Sequence, residues 1–538
     1  MNRRKLLSYA LAAAALRDSP SIWAGARNPE VPIVVDVTKV LGAATSIGDL
    51  IGSQNEPYTF GFRNPDPWGI QAWREVGFNI SDIALFHYDG SNPFTTTGKI
   101  VGIRVTRDRG GKLHLDFRDF DENIRFMHET LGVRKIDFTA WGTPKALADP
   151  AAGEFFFFHA PRDYKEWADI LARAVAHIAN DLNLAGSTYK PWTEPDSGWY
   201  WRGHARPGEV VTGVSDAAKV RETVSKDPRV LEDYVEKYVT DWQAIKAADP
   251  TARMSGPFTV YSKPIKGTLW SVDDFLSEID QYNASHPAHR VTVDEIAYQD
   301  YNWHGHGLAE GVLAANAVRD KHGLPSNTPL VAVGWNASLQ NDQSLQQRAA
   351  YVVSNIIAEL TPRGRPRTLS RAYLWPFDYD YGTYGLAPVV MPYQAVSYSG
   401  NDGSDGPLSN AAVTEYRKRP LHAGLKLLSG MKPGNLVATH HESPKLSALS
   451  ALQPNGDLKI TVANYGSEEC RIRPALRGLQ GDARTARVIL QRIDANHSSD
   501  GTGLENGLAR SVSLDARGAL PPVDMPPFSI IGITLKNG

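Results

Sequence analysis

At 538 residues the chain is longer than a single hydrophobic core supports, so one large domain with a smaller companion is expected. Hydrophobic residues at 42% and charged residues at 22% supply a core and exclude wholesale disorder. A formal net charge of -2 excludes a general attraction to nucleic acid or to an anionic membrane, and the one cysteine, Cys470, excludes an intrachain disulfide and a cysteine-based metal site.

The amino terminus reads as an export signal over residues 1–26. Arg3, Arg4 and Lys5 precede an apolar stretch from Leu6 to Leu16 that is too short to span a bilayer, and Ala24, Gly25 and Ala26 offer small residues for cleavage. The Arg3-Arg4 pair fits the twin-arginine route. No later apolar run is long enough for membrane insertion, so a periplasmic or secreted protein is expected.

Residues 27–44 contain a short apolar strand, 32–37, which needs an apolar partner and is expected to join a C-terminal β-sandwich. From 45 to 430, short apolar runs alternate with longer helical patterns, the signature of parallel strands joined by helices. Candidate strands lie near 47–51 and at 82–87, 134–139, 186–191, 253–256, 291–298, 330–333 and 372–375. No Gly-rich phosphate loop follows the first of them, which counts against a nucleotide-binding sheet, so a (β/α)8 TIM barrel is preferred to a doubly wound sheet; no cofactor is expected. A run of turn formers at 400–410 belongs on the surface. Over 431–538 the pattern changes to short alternating strands separated by Gly, Asn and Asp, which predicts the β-sandwich.

Five of the barrel strands run into polar and aromatic clusters: His87-Tyr88-Asp89-Gly90, Trp141-Gly142-Thr143-Pro144, Trp192-Thr193-Glu194-Pro195, Gln299-Asp300-Tyr301-Asn302-Trp303-His304 and Trp375-Pro376-Phe377-Asp378-Tyr379-Asp380. Barrel active sites are built at the C-terminal ends of the strands, so this distribution points to an enzyme. The generous supply of Trp, Tyr and Phe suits the stacking of sugar rings, and a carbohydrate is the expected partner. His304 and His306 flank Gly305, but no third ligand accompanies them and no metal site is expected there.

Taken in order, these segments resemble glycoside hydrolase family 39, the family of β-xylosidases and α-iduronidases, over nearly the whole chain beyond the export signal. Ile51-Gly52-Ser53 is similar to the family's first-strand turn, 73–78 with Phe86-His87 to its second βα unit, and 143–148 to its third. Trp192-Thr193-Glu194-Pro195 resembles the Asn-Glu-Pro turn after strand four, 293–298 with Tyr301 resembles strand six, and Trp335-Asn336-Ala337-Ser338 resembles the end of strand seven. Tyr384-Gly385-Leu386 resembles the segment after strand eight. The resemblance implies that Glu194 is the general acid. Cleaving a glycosidic bond requires protonating a poor leaving oxygen, which a shielded Glu does near neutral pH. Asn55-Glu56-Pro57 spells the acid motif literally, but it follows the first strand instead of the fourth.

The sequence departs from the family where the nucleophile belongs. A retaining glycosidase needs a second carboxylate about 5 Å from the first, and the resemblance puts it at the end of strand seven, where this chain has Gly334. Either the nucleophile has migrated to another strand, or the enzyme inverts: removal of that side chain leaves room for the wider spacing of an inverting site, with a displaced carboxylate activating water. Asp300, at the end of strand six, is the preferred base, because Glu295 lies about 13 Å farther down an extended strand. Asp378 and Asp380 are further candidates. Thr193 replaces the family's Asn before the acid and Gln299 its strand-six His, so a different sugar specificity is expected. His87, Trp192, Thr193, Gln299, Trp335, Asn336, Trp375 and Asp378 are the candidate sugar contacts, with Trp375 the preferred stacking platform. The alternatives are a non-catalytic carbohydrate-binding barrel and a polysaccharide lyase. The lyase would want a cationic charge neutraliser for which no basic cluster is evident.

Overall fold

The computed structural model describes residues 30–54, 60–86, 102–198, 200–206, 222–223, 227–262, 268–301, 307–337, 344–361, 369–378, 388–390, 416–478, 485–495, 510–515 and 518–537. Residues 1–26, His87, Glu56, Trp303, His304, His306, Asp380 and 400–410 lie outside them.

Eight parallel strands close into a barrel. In chain order they are Ile51–Gln54, Ile80–Ala84, Lys135–Thr139, Thr188–Lys190, Arg253–Thr259, Glu295–Asp300, Leu330–Trp335 and Leu369–Leu374, here called strands one to eight. Strand eight pairs with both strand seven and strand one, which completes the ring. The sequence foresees all eight, with shifted ends. Residues 47–50 form a helical turn and not the start of strand one, and strand six begins at Glu295 and runs through Asp300.

The helices between strands have clear starts. Asp163 accepts from the backbone N–H groups of Lys165 and Glu166 at the head of Tyr164–Asn180, and Ser271 with Asp274 makes a capping box on Val272–Ser285. Tyr164–Asn180 buries Trp167, Ile170, Leu171, Ala174, Val175 and Ile178, the stripe that a 3.6-residue period brings to one face, against the outside of the barrel.

Alternation along a strand sends every second side chain into the barrel. On strand six the inward residues are Glu295, Ala297 and, at the mouth, Gln299. Ala297 packs with Ile80, Phe258, Val331, Val333 and Tyr373 in the apolar layer of the interior. Near the entry end of strand six that interior is ionic. Arg371 donates to Glu295 and to Asp137, and Lys190 donates to Asp82 at 2.7 Å with Asp137 at 3.4 Å. All five side chains are buried, so these charges are matched to one another and unavailable to solvent.

The C-terminal part is one curled, mixed, nine-stranded sheet that is sandwich-like. Its order is Arg510–Ser513, Thr485–Ile493, Ser529–Lys536, Leu458–Asn464, Leu446–Leu452, Asn435–His440, Glu30–Ala43, Cys470–Arg477 and Val523–Met525. Glu30–Ala43 runs antiparallel to Asn435–His440 and parallel to Cys470–Arg477, so the first of the described strands sits within this sheet. Ile33 and Val35 share a core with Val437 and Ile472 on the adjacent strands and with Ile460 and Ile533 on strands three and four places away in the order, which is what curling achieves. The sheet meets the barrel on helix Leu345–Leu360, where Ser354 and Ser447 hydrogen-bond at 2.7 Å, and on the last helix, Pro420–Ser429, beyond which Lys459 donates to the carbonyl of Gly430. Among the described residues no helix is long and apolar enough to cross a membrane.

Candidate active site at the barrel mouth

Glu194 follows strand four in a turn with positive φ (45°), a conformation uncommon for residues other than glycine. Its backbone N–H donates to the carbonyl of Phe258 at 3.1 Å, and its own carbonyl accepts from the N–H and the hydroxyl of Ser197. Phe258, at the end of strand five, also has positive φ (68°), so two turns brace each other across adjacent strands. From behind, Lys237 donates to the carbonyl of Pro191 at 3.0 Å while paired with Asp241 at 2.6 Å, both side chains wholly buried. Glu194 is thereby held at the rim, partly exposed.

Asp196 lies two residues on, buried, accepting from Val260 N–H at 2.9 Å. Burial, aided by the nearby Glu194 charge, pushes its carboxyl well above the usual carboxylate range. Tyr261 stands within the fields of Asp300, Glu194 and Asp196; burial and those three carboxyl groups raise its hydroxyl to about 12.

Gly334 has φ of +68°, and its missing side chain leaves no vacancy. A Cβ there would lie 2.2 Å from Gln54 Oε1 and 2.7 Å from the Tyr301 hydroxyl. Strand eight separates strand one from strand seven around the ring, so Gln54 reaches this point across the lumen. The room for an inverting site inferred from glycine alone is therefore taken by a carboxamide. Gln54 is 7% exposed and Gln299 1%, and neither Oε1 has a hydrogen-bond partner among the described residues. A buried acceptor left unsatisfied costs about 1–3 kcal/mol, so a donor reaching either oxygen would be stabilising.

The other expected contacts divide by burial. Trp192 is wholly buried, with its indole N–H donating to the carbonyl of Tyr200 at 2.6 Å and its ring edge-on to Trp201, and so belongs to the core instead of a sugar platform. Trp335 is likewise fully buried. Trp375 is partly exposed and meets Tyr301 edge-to-face at 6.2 Å. Asn336 has its amide committed, donating to the carbonyl of Trp375 and accepting from Ala337 N–H, which ties strand seven to strand eight. Thr193 is buried beside Glu194, and Asp378 is fully buried beyond strand eight.

Two carboxylates singled out from sequence stand elsewhere than expected. Glu295 is in the ionic interior, where Arg371 and Arg253 engage it. Asp300 turns toward the helix layer: its Oδ2 would lie 2.6 Å from a Cβ on Gly311 of helix Gly307–Lys321, beside Tyr298 and Ser262. A strand end points toward the pocket only on alternate residues, and here Gln299 takes the inward side. Gln54, Asp196 and Tyr261 were missed. Gln54 ends strand one and so satisfies the strand-end rule.

Among the described residues, one group offers metal-ligand chemistry. His204, Asp233 and Glu236 place one ligand atom each within 4.8 Å of one another. Arg206 already donates to Asp233 Oδ2 at 2.7 Å, so a cation occupies the position a metal would want.

No family model matches the chain, and no curated protein matches it in sequence. Solved structures match in fold. A monomeric β-xylosidase from Caulobacter crescentus CB15 is 16% identical with a TM-score of 0.62, covering 94% of this chain and 99% of its own. A GH39 β-xylosidase from Caulobacter crescentus is 17% identical, with a TM-score of 0.59 over 94% of this chain and 100% of that one. A glucosidase from Croceicoccus marinus is 12% identical, with a TM-score of 0.59 over 95% and 100%. At these identities the likeness establishes the fold.

Proposed function

We propose that the protein is an exported glycoside hydrolase that cleaves a glycosidic bond in an oligosaccharide or polysaccharide, with Glu194 as general acid. The observation that carries this reading is the turn after strand four. A partly exposed glutamate is held there in a strained backbone conformation, anchored to strand five, with Lys237 bonded to the carbonyl of Pro191 at the start of the turn and the buried Asp196 carboxyl, pushed well above the usual carboxylate range, alongside. The fold shared with β-xylosidases and a glucosidase is consistent with it. Residues 1–26 direct export to the periplasm or exterior, the barrel over 45–430 carries the chemistry, and 27–44 with 431–538 form the companion domain.

Digestion of xylan, arabinan and β-glucan fragments, together with aryl glycosides, followed by NMR of the released anomer, tests the reaction. Loss of activity in Glu194→Gln supports the acid, and full activity in that variant removes it. A second reading, a non-catalytic carbohydrate-binding barrel, is favoured by one specific feature: Gln54 stands in the nucleophile's place, while Glu295 and Asp300 face other partners. Binding of glycans with no turnover selects it.

A further inference from the structure

Three adjacent strands of the C-terminal sheet present a face that changes character along its length. Pairing sets Ala463, Ile530 and Ile493 side by side, and these pack into the core shared with the barrel helices. Two residues along, the same face carries Thr461, Gly532 and Gln491, and at the next step Lys459 and Thr534. There it opens into a cavity of about 190 Å³, walled on the other side by Leu427 and Met431, at the end of helix Pro420–Ser429 and just past it. Thr461 is only 1% exposed, yet neither its hydroxyl nor the side chains of Thr534 and Gln491 hydrogen-bond to another described residue. A buried hydroxyl is costly without a partner, so a polar occupant of the cavity gains by meeting it.

The charges beside the cavity are already matched. Lys459 donates to the carbonyl of Gly430, Lys426 reaches Glu75 at 3.3 Å, and no carboxylate lines the space. An anion meets ammonium groups that already have acceptors, and a metal ion meets no ligand set. What remains is two hydroxyls and a carboxamide, which both donate and accept, facing two aliphatic side chains. We propose that this cavity binds one neutral sugar unit, a second carbohydrate site on the companion domain, apart from the barrel mouth. Sugar hydroxyls donate and accept while the C–H face of the ring is apolar, so the two walls match its two characters. The volume is that of roughly six waters at about 30 Å³ each, the scale of a single ring. The inference does not depend on the glycosidase reading.

The test titrates the full chain, labelled at its methionine methyl groups, with xylose, arabinose, glucose and galactose, and follows the Met431 signal by NMR, identified by its loss in Met431→Leu. At least one sugar is expected to shift that signal saturably, while inorganic phosphate at matched ionic strength leaves it in place. Thr461→Val removes the hydroxyl at nearly constant volume and is expected to weaken binding of that sugar roughly twofold to tenfold, with an unchanged or raised melting temperature. Thr534→Trp, at a half-buried position, is expected to abolish the shift by filling the cavity. Both variants are expected to cleave any glycoside the wild type cleaves at the wild-type rate. A Met431 signal that no sugar moves, that phosphate moves as far as any sugar, or that saturates alike in the wild type and both folded variants overturns the site. None of these results bears on the loss of turnover in Glu194→Gln, so the two readings fall separately.

Discussion

The side-chain carbonyl of Gln54 lies 2.2 Å from where a β-carbon on Gly334 would stand, so a residue on strand one fills the place that a side chain on strand seven would need. The two positions are sealed against simple restoration of a nucleophile. Gly334→Glu combines overlap with Gln54 and a backbone at φ +68°, each worth about 1–3 kcal/mol. The expected result is destabilisation of about 2–4 kcal/mol by urea unfolding, only partly relieved by adding Gln54→Gly. Wild-type stability in Gly334→Glu would show that the barrel mouth rearranges freely.

Glu194→Gln keeps the shape and hydrogen-bonding capacity of the turn and removes the transferable proton. Turnover of whichever glycoside the wild type cleaves is expected to fall by roughly 10²–10⁴-fold, with the melting temperature unchanged. A drop in melting temperature without loss of turnover would assign Glu194 to structure.

Lys237 should matter to the site without touching it. Lys237→Met removes the donor to Pro191 and leaves Asp241 as a buried charge without its partner, so a loss of about 3–5 kcal/mol is expected in unfolding. The double variant Lys237→Met/Asp241→Leu is expected to recover most of that stability while turnover stays reduced, because the carbonyl of Pro191 remains unheld. Full recovery of turnover in the double variant would confine Lys237 to a purely structural part.

Trp192 and Trp375 separate packing from recognition. Trp192→Ala empties a fully buried site and is expected to cost about 3–5 kcal/mol in stability. Trp375→Ala, at a partly exposed ring, is expected to weaken glycan binding with a much smaller change in unfolding. Calorimetric titration and denaturant melts on both variants measure the contrast, and the reverse pattern would exchange their roles.

Two buried histidines set an acid limit on stability. Burial, reinforced by the Arg202 charge, lowers His159 to about 3, and burial lowers His422 to about 4. Both are neutral in the folded chain and take up a proton on unfolding below pH 6.5, so the unfolded state binds more protons there. Their contribution is complete above about pH 6.5 and declines by about 1.4 kcal/mol per pH unit for each as pH falls toward those folded values. His422→Gln is expected to flatten the slope of unfolding free energy between pH 6 and 4. An unchanged slope would place His422 in contact with solvent protons in the folded state.

The fold was legible from sequence because its signals are local. The eight apolar runs and the shift to short alternating strands after residue 430 each depend on neighbours a few residues away. The position of Glu194 just after strand four was legible for the same reason, as a motif after a countable strand. What only the tertiary structure decided is which side chains share the lumen. Asp300 and Gln299 are adjacent in sequence, yet the pleat sends one toward helix Gly307–Lys321 and the other into the mouth, and a strand boundary uncertain by one residue exchanges them. Gln54 and Gly334 are 280 positions apart and lie on strands that are not even neighbours, so their approach follows from closure of the barrel and from no local pattern. Glycine in the sequence reads as empty space, and packing at interior density determines what fills it.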